Sequence, residues 1–104
     1  MAVDYLEKHQ FIIRARNYRF QRAEIDLIAQ KDDLLLFVEI KVRSNIYFGY
    51  PESFVHCKQQ SLYQLAANEY IQDTGWQGKV RFDVLAYYTE GEKPYLTHFK
   101  DAFF

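Results

Sequence analysis

This sequence is poor in the residues that break or staple a chain: four Gly, two Pro and one Cys in 104 residues. A lone cysteine, Cys57, excludes an internal disulfide. With no helper residue for nucleophilic or redox chemistry, Cys57 reads as a packed thiol. Scarce Gly and Pro beside nine Tyr, nine Phe and Trp76 exclude a disordered segment. No apolar run approaches the ~20 residues of a membrane span. The opening Met1-Ala2-Val3-Asp4-Tyr5 has neither the basic nor the apolar region of a secretory signal, so the expectation is a soluble cytoplasmic protein. Charge of one sign is lacking too: 13 Lys and Arg stand against 14 Asp and Glu, for a formal net charge of -1. That excludes the global basic footprint of a strong nucleic-acid binder, and any such role must rest on local charge.

What is present is 49% hydrophobic sequence without repeat, linker or low-complexity tract, which predicts one domain over residues 1–104. Ala2 to His9 reads as a short helix with Val3 and Leu6 on one face. Phe11 to Arg22 alternates apolar and basic residues as a strand or edge segment, and Glu24–Gln30 and Leu34–Arg43 read as a hairpin split by Lys31-Asp32-Asp33. Ser44 to Val55, with Gly49 and Pro51, reads as a loop with one helical turn at most. His56 to Gln72 is helical and ends near Gly75, a residue suited to a left-handed cap. Lys79–Tyr88 and Pro94–Phe99 complete the set. The predicted order is α-β-β-β-α-β-β, an α/β (α+β) mixed sheet flanked by helices.

The hairpin carries the chemistry. Pairing around Asp32-Asp33 sets Ile25 against Ile40, Leu27 against Val38 and Ala29 against Leu36 on one apolar face. The other face sets Ile28 against Phe37 and, farther out, Asp26 against Glu39 and Glu24 against Lys41. Two carboxylates directly opposite would lie ~4.5–5.5 Å apart and destabilise the sheet unless compensated. Protonation, nearby cations or a bound divalent ion would each compensate. Oxygen donors without a His or Cys cluster favour Mg²⁺ or Mn²⁺ over zinc. The competing reading is a solvated strand end, with Glu24 and Lys41 as a cross-strand pair and the two acids splayed into water.

On the second helix Leu62, Tyr63, Ala66 and Tyr70 form the apolar face, opposite Gln60, Ser61, Gln64, Asn68 and Gln72. Gln59 falls within the apolar face. It needs a hydrogen-bond partner there, either backbone at the helix end or a metal-bound water or phosphate. Lys58 beside it reads as a phosphate contact or an ordinary solvated lysine. Asp83, between Phe82 and Val84, is expected opposite the core face, paired with Arg81 or a helix end, or placed beside the site. His98 and His56 read as isolated, which argues against zinc, His9 as a surface residue, and Trp76 as a lid on the helix end rather than a base-stacking platform.

The run Ala23-Glu24-Ile25-Asp26-Leu27-Ile28-Ala29 followed by Phe37-Val38-Glu39-Ile40-Lys41-Val42-Arg43-Ser44 resembles the YraN family of small bacterial proteins. That family is similar to archaeal Holliday-junction resolvases within the PD-(D/E)-x-K restriction-endonuclease-like superfamily. Arg16-Asn17-Tyr18-Arg19, Phe48-Gly49-Tyr50-Pro51, Lys58-Gln59, Arg81-Phe82-Asp83-Val84 and His98-Phe99-Lys100-Asp101-Ala102-Phe103 extend the resemblance over nearly the whole chain. It implies a Mg²⁺-dependent (or Mn²⁺-dependent) endonuclease acting on DNA phosphodiester bonds, with branched recombination or repair intermediates among its substrates. Asp26 and Glu39 would be the metal-binding acids, Lys41 the catalytic lysine, and Glu24 and Gln59 accessory site residues. Arg14, Arg16, Arg19, Arg22, Arg43 and Lys58 would hold flanking phosphates, and a homodimer follows by analogy with resolvases. The sequence departs from the pattern in two ways. Ile25, not proline, precedes Asp26. The family's usual G-x-x-G-E motif lies on a longer first helix, and this sequence starts just after that point: either the start is truncated or one acid is lacking, and the second alternative leaves open a nucleic-acid-binding module that keeps the fold without turnover.

Overall fold

The computed structural model describes residues 2–43 and 57–102. The expected loop at 44–55 and His56 lie outside the described residues, as do the side chains of Arg43, Cys57, Lys58 and Gln59. The elements are α1 (Ala2–Lys8), β1 (Ile12–Phe20), β2 (Ala23–Lys31), β3 (Leu34–Arg43), α2 (Cys57–Thr74), β4 (Lys79–Glu90) and β5 (Lys93–Phe99). The strands form one sheet in the order β1-β2-β3-β4-β5, with β3 and β4 parallel and the other neighbours antiparallel. The expected restriction-endonuclease-like arrangement, a mixed sheet flanked by helices in the order α-β-β-β-α-β-β, is met element by element.

Both faces of the sheet are covered, so the central strand reads as an unbroken apolar run. Leu35, Leu36, Phe37 and Val38 are all buried. On one face Ile25, Ile28, Phe37 and Val84 pack with Tyr63, Ala66 and Ala67 of α2. On the other, Leu27, Ala29, Leu36, Val38 and Leu85 pack with Ala2 and Leu6 of α1. The apolar stripe expected on the second helix is therefore the one that it buries. Helix α2 ends as Gly75 suits: at φ 69° it donates to the Ile71 carbonyl at 2.9 Å, and Trp76 donates to the same oxygen at 3.2 Å. Trp76 packs against this core with its indole N–H on the Lys79 carbonyl at 3.0 Å, which makes it the lid expected.

The β2–β3 turn is two residues long, Lys31 pairing with Leu34, and Asp32 takes a left-handed φ of 53° that an aspartate tolerates. Asp33 then accepts a hydrogen bond from Lys79 N at 2.7 Å, tying the turn to the start of β4. Gly78 permits that approach, because a Cβ there would lie 2.4 Å from the Asp33 carbonyl oxygen.

One expectation about the hairpin is corrected. The predicted register holds from Lys31↔Leu34 to Leu27↔Val38 and goes no farther. Ile25 does not share a face with Leu27 and Ala29; it packs with Ala23 and Ile28 beneath α2. The cause lies in β1. Its pairing with β2 shifts between Ile13 and Ala15, and it is interrupted between Arg16↔Leu27 and Tyr18↔Ile25, where Asn17 has φ 51°. A left-handed residue in an antiparallel pair bends the strand and reverses its alternation. The kink falls opposite Asp26.

Candidate functional site

The kink opens a fork between β2 and β3, and the predicted acids lie in it. Asp26 does not face Glu39 across a regular ladder. Its Oδ2 accepts a hydrogen bond from the Ile40 backbone N–H at 2.8 Å, in place of a main-chain acceptor on β2. Glu39, on β3 and 7% exposed, lies near enough to Asp26 for the two carboxyl groups to act on each other. Lys41, two residues on and on the same side of the strand, places Nζ 3.3 Å from Glu39 Oε1. Asp26, Glu39 and Lys41 are thus brought together, as their spacing predicted.

The electrostatics of this cluster are unbalanced. Burial pushes the Glu39 carboxyl up to about 7, and the Asp26 charge adds to this against the opposing pull of Lys41. Burial also raises Asp26 above its ordinary value, although the Ile40 N–H opposes the shift. Two neighbouring acids that both hold protons more tightly than usual form a site short of positive charge. A hard divalent cation on oxygen donors would supply it, so the residues present fit Mg²⁺ or Mn²⁺. Among the described residues no group of three or more His, Cys, Asp or Glu is placed to hold a metal. The protein donors on view are the pair Asp26 and Glu39.

Glu24 is placed differently from expectation. It does not pair with Lys41; its Oε2 lies 2.5 Å from Nε of its ladder neighbour Arg19. The kink explains this, because it turns β2 away from β3 before Glu24 is reached. Glu24 stays near enough for its charge to raise both Asp26 and Glu39.

The predicted phosphate-binding residues divide in the same way. Arg16 and Asn17 line, with Asp26, Leu27, Ile40 and the start of α1, a hollow of about 420 Å³ beside the fork. Arg19 is tied to Glu24. Arg14, at the bulge between Ile13 and Ala15, lines an edge depression with Glu7 that Arg16 also borders, and Arg22 is exposed in the β1–β2 turn. The side chains of Gln59, Lys58 and Arg43 lie outside the described residues. Asn17 is the site residue that sequence reasoning passed over. Its signal was an asparagine inside a strand pattern, the residue type that most readily takes the left-handed conformation there.

Asp83 and His98 are the second correction. Asp83 was expected opposite the core face, with Arg81 or a helix end as partner; the Arg81 pairing is met, but α1 covers that face of the sheet and the carboxylate is fully buried. It accepts from Arg81 Nε and Nη2 at 2.9 Å each, from His98 Nε2 at 2.5 Å and from the Asp101 N–H at 2.9 Å. His98 is not isolated, since its Nδ1 also meets the Tyr5 hydroxyl at 3.0 Å. Burial alone would raise Asp83, but its hydrogen bonds outweigh burial and hold it below the ordinary carboxylate range.

No described helix is long and apolar enough to cross a membrane. Comparison with known proteins finds relatives that the alignments cover to between 73% and 87% of their own length. A protein of Flavobacterium psychrophilum named UPF0102 protein FP2501 is 41% identical over 104 residues, covering all of this chain and 87% of that one. The UPF0102 protein BF0634 of Bacteroides fragilis is 36% identical, covering 99% of this chain and 85% of the relative. A UPF0102 protein of Dictyoglomus thermophilum is 41% identical over 86 residues, covering 82% of this chain and 73% of the relative. The model of the uncharacterised protein family UPF0102 matches residues 1–87, and the chain belongs to that family, the YraN family that its hairpin resembles.

Proposed function

We propose that the protein is a Mg²⁺-dependent (or Mn²⁺-dependent) endonuclease acting on DNA phosphodiester bonds, with the fork between β2 and β3 as its active site. The observation that carries the reading is the pair Asp26 and Glu39, both raised in pKa chiefly by burial, Glu39 also by the Asp26 charge, with Lys41 3.3 Å from Glu39. Asp26 and Glu39 would hold the cation, which when bound supplies Lewis-acid stabilisation of phosphate charge and acidifies water. The chain's own residues do the rest. Asp26 is oriented by the Ile40 N–H, so its second oxygen needs no reorganisation to bind. Lys41 stands where it can orient the attacking water or offset charge on the scissile phosphate. Arg16 and Asn17, lining the hollow beside Asp26, are placed to hold a neighbouring phosphate in the manner of contacts that position rather than read sequence. Glu24, held by Arg19, adds negative charge from the rim.

The test is incubation of purified protein with branched, single-stranded and duplex DNA in Mg²⁺ or Mn²⁺. Metal-dependent cleavage abolished by Asp26→Ala and by Lys41→Ala is the expected result. Absence of cleavage on every substrate, or activity indifferent to both substitutions, removes the catalytic reading. A second reading is favoured by the Lys41–Glu39 ion pair itself: a nucleic-acid-binding module in which Lys41 serves as the permanent counterion. That reading predicts salt-sensitive binding unchanged by Mg²⁺ and by Asp26→Asn.

A further inference from the structure

The other end of the sheet, on the α1 face, holds a pocket of about 250 Å³ that plays no part in the fork. Its walls are Tyr5 of α1, His9 in the turn after it, Phe11, Lys31, Leu34, Arg81, His98 and Lys100, with no acid among them. It is separated from Asp26 and Glu39 by five residues along both β2 and β3, roughly 16 Å of strand. One phosphate cannot touch both places.

Three features distinguish this pocket from an ordinary basic surface. Arg81 is fixed in plane by its two bonds to Asp83, which leaves its remaining N–H groups for another acceptor. Lys31 is held with its ammonium 5.7 Å from the centre of the Phe11 ring. The His98 imidazole, its side chain 10% exposed, is locked between Asp83 and the Tyr5 hydroxyl, and His9 bonds the Tyr5 carbonyl at 2.8 Å with its ring against that tyrosine. Asp83 balances Arg81, so the uncompensated charge comes from Lys31 and Lys100, neither of which makes an ion pair with a described residue. Asp32, Asp33 and Asp101 line the adjoining depression, not this pocket. The volume falls just below the range of about 300–1,000 Å³ for drug-sized ligands, which suits a small group better than a whole nucleotide.

We infer that this pocket binds a phosphoryl group, seating a phosphate or phosphomonoester dianion between Lys31, Arg81 and Lys100 with Tyr5 at its wall. The group belongs to a free phosphate compound or to the phosphorylated end of a nucleic-acid strand, and the chemistry of the pocket is the same for both. The inference does not depend on the nuclease reading.

The experiment is an NMR titration of the full chain with sodium phosphate, against sodium chloride at matched ionic strength. Saturating shifts of the Tyr5 and His98 signals are expected with phosphate alone, with a dissociation constant on the order of 1 mM or tighter. Lys31→Glu, at a half-buried position, and Lys100→Glu, at an exposed one, both checked for folding by circular dichroism, should each weaken binding roughly fivefold or more. Asp26→Ala should leave it unchanged, so loss of cleavage and loss of this site remain distinguishable. A short single strand with a 5′-phosphate binding several times tighter than its 5′-hydroxyl counterpart assigns the source to a strand end; equal binding of the two assigns it to a free phosphate compound. Shifts that fail to saturate, that chloride reproduces, or that persist in both charge reversals overturn the inference.

Discussion

Two carboxylate sites occupy the same sheet at similar depth and differ in nearly everything else. At the fork, Glu39 is 7% exposed and shares its surroundings with a second acid, and both are driven toward protonation. On β4, Asp83 is fully buried yet held as a carboxylate below its ordinary range, because Arg81, His98 and the Asp101 N–H surround it. Burial is common to both, so burial does not decide the outcome. Partners do: Asp83 is held as a carboxylate by the cation and N–H groups around it, whereas at the fork burial outweighs the pull of Lys41 and of the Ile40 N–H.

The comparison breaks most visibly through Asp83. Asp83→Ala leaves the Arg81 guanidinium without its partner in a covered site and should cost about 3–5 kcal/mol, measured by urea unfolding. A cost under about 1 kcal/mol would make the two sites equivalent and end the contrast. At the fork the expected loss is of turnover, not stability. Asp26→Ala should reduce DNA cleavage on the order of 10³-fold while shifting unfolding by less than about 1 kcal/mol. Comparable losses of stability at both positions would point to a structural role for Asp26.

The pH dependences should have opposite signs. Glu39 is raised from 4.5 to about 7, so the folded protein binds its proton more tightly than the unfolded chain. Stability from this residue is full below pH 4.5 and is lost as pH rises through about 7. Glu39→Gln should therefore stabilise the protein by about 1–3 kcal/mol at pH 8 and by little at pH 4.5. Denaturant titrations at the two pH values measure this, and saturating Mg²⁺ should shrink the difference. Asp83, lowered from 3.8, contributes stability above that pH and loses it as the pH falls. The smallest effect is expected at Arg16, exposed beside the hollow. Arg16→Ala should weaken DNA binding severalfold at any sequence and lower the salt slope by about 1, read from affinities at several salt concentrations. An unchanged slope would remove Arg16 from the phosphate path.

Much of this was legible because local rules suffice for it. Alternation and turn residues placed all five strands, and helical spacing placed Tyr63, Ala66 and Tyr70 against the sheet. The spacing of Glu39 and Lys41 put them on one side of β3, where their side chains meet. The kink was not legible. Asn17 looks like one polar residue in a strand, and its left-handed φ is a property of the pairing with β2 as much as of the residue. From that kink follow the reversal at Ile25, the turn of Glu24 toward Arg19 and the seating of Asp26 on the Ile40 N–H. Asp83 and His98 were misplaced for a related reason, since nothing in β4 itself says that a helix from the other end of the chain covers its second face.

The amino-acid order by itself determined the element sequence, the register of the hairpin near its turn, the family and the identity of the paired acids. These depend on side-chain period, turn chemistry and residue type, all properties of neighbours in the chain. Only the tertiary structure decided which carboxylates are short of positive charge and which are satisfied. That balance is summed over groups far apart in sequence, Asp26 with Ile40 at the fork and Asp83 with His98 and Asp101 on β4, and folding alone brings them within hydrogen-bonding distance.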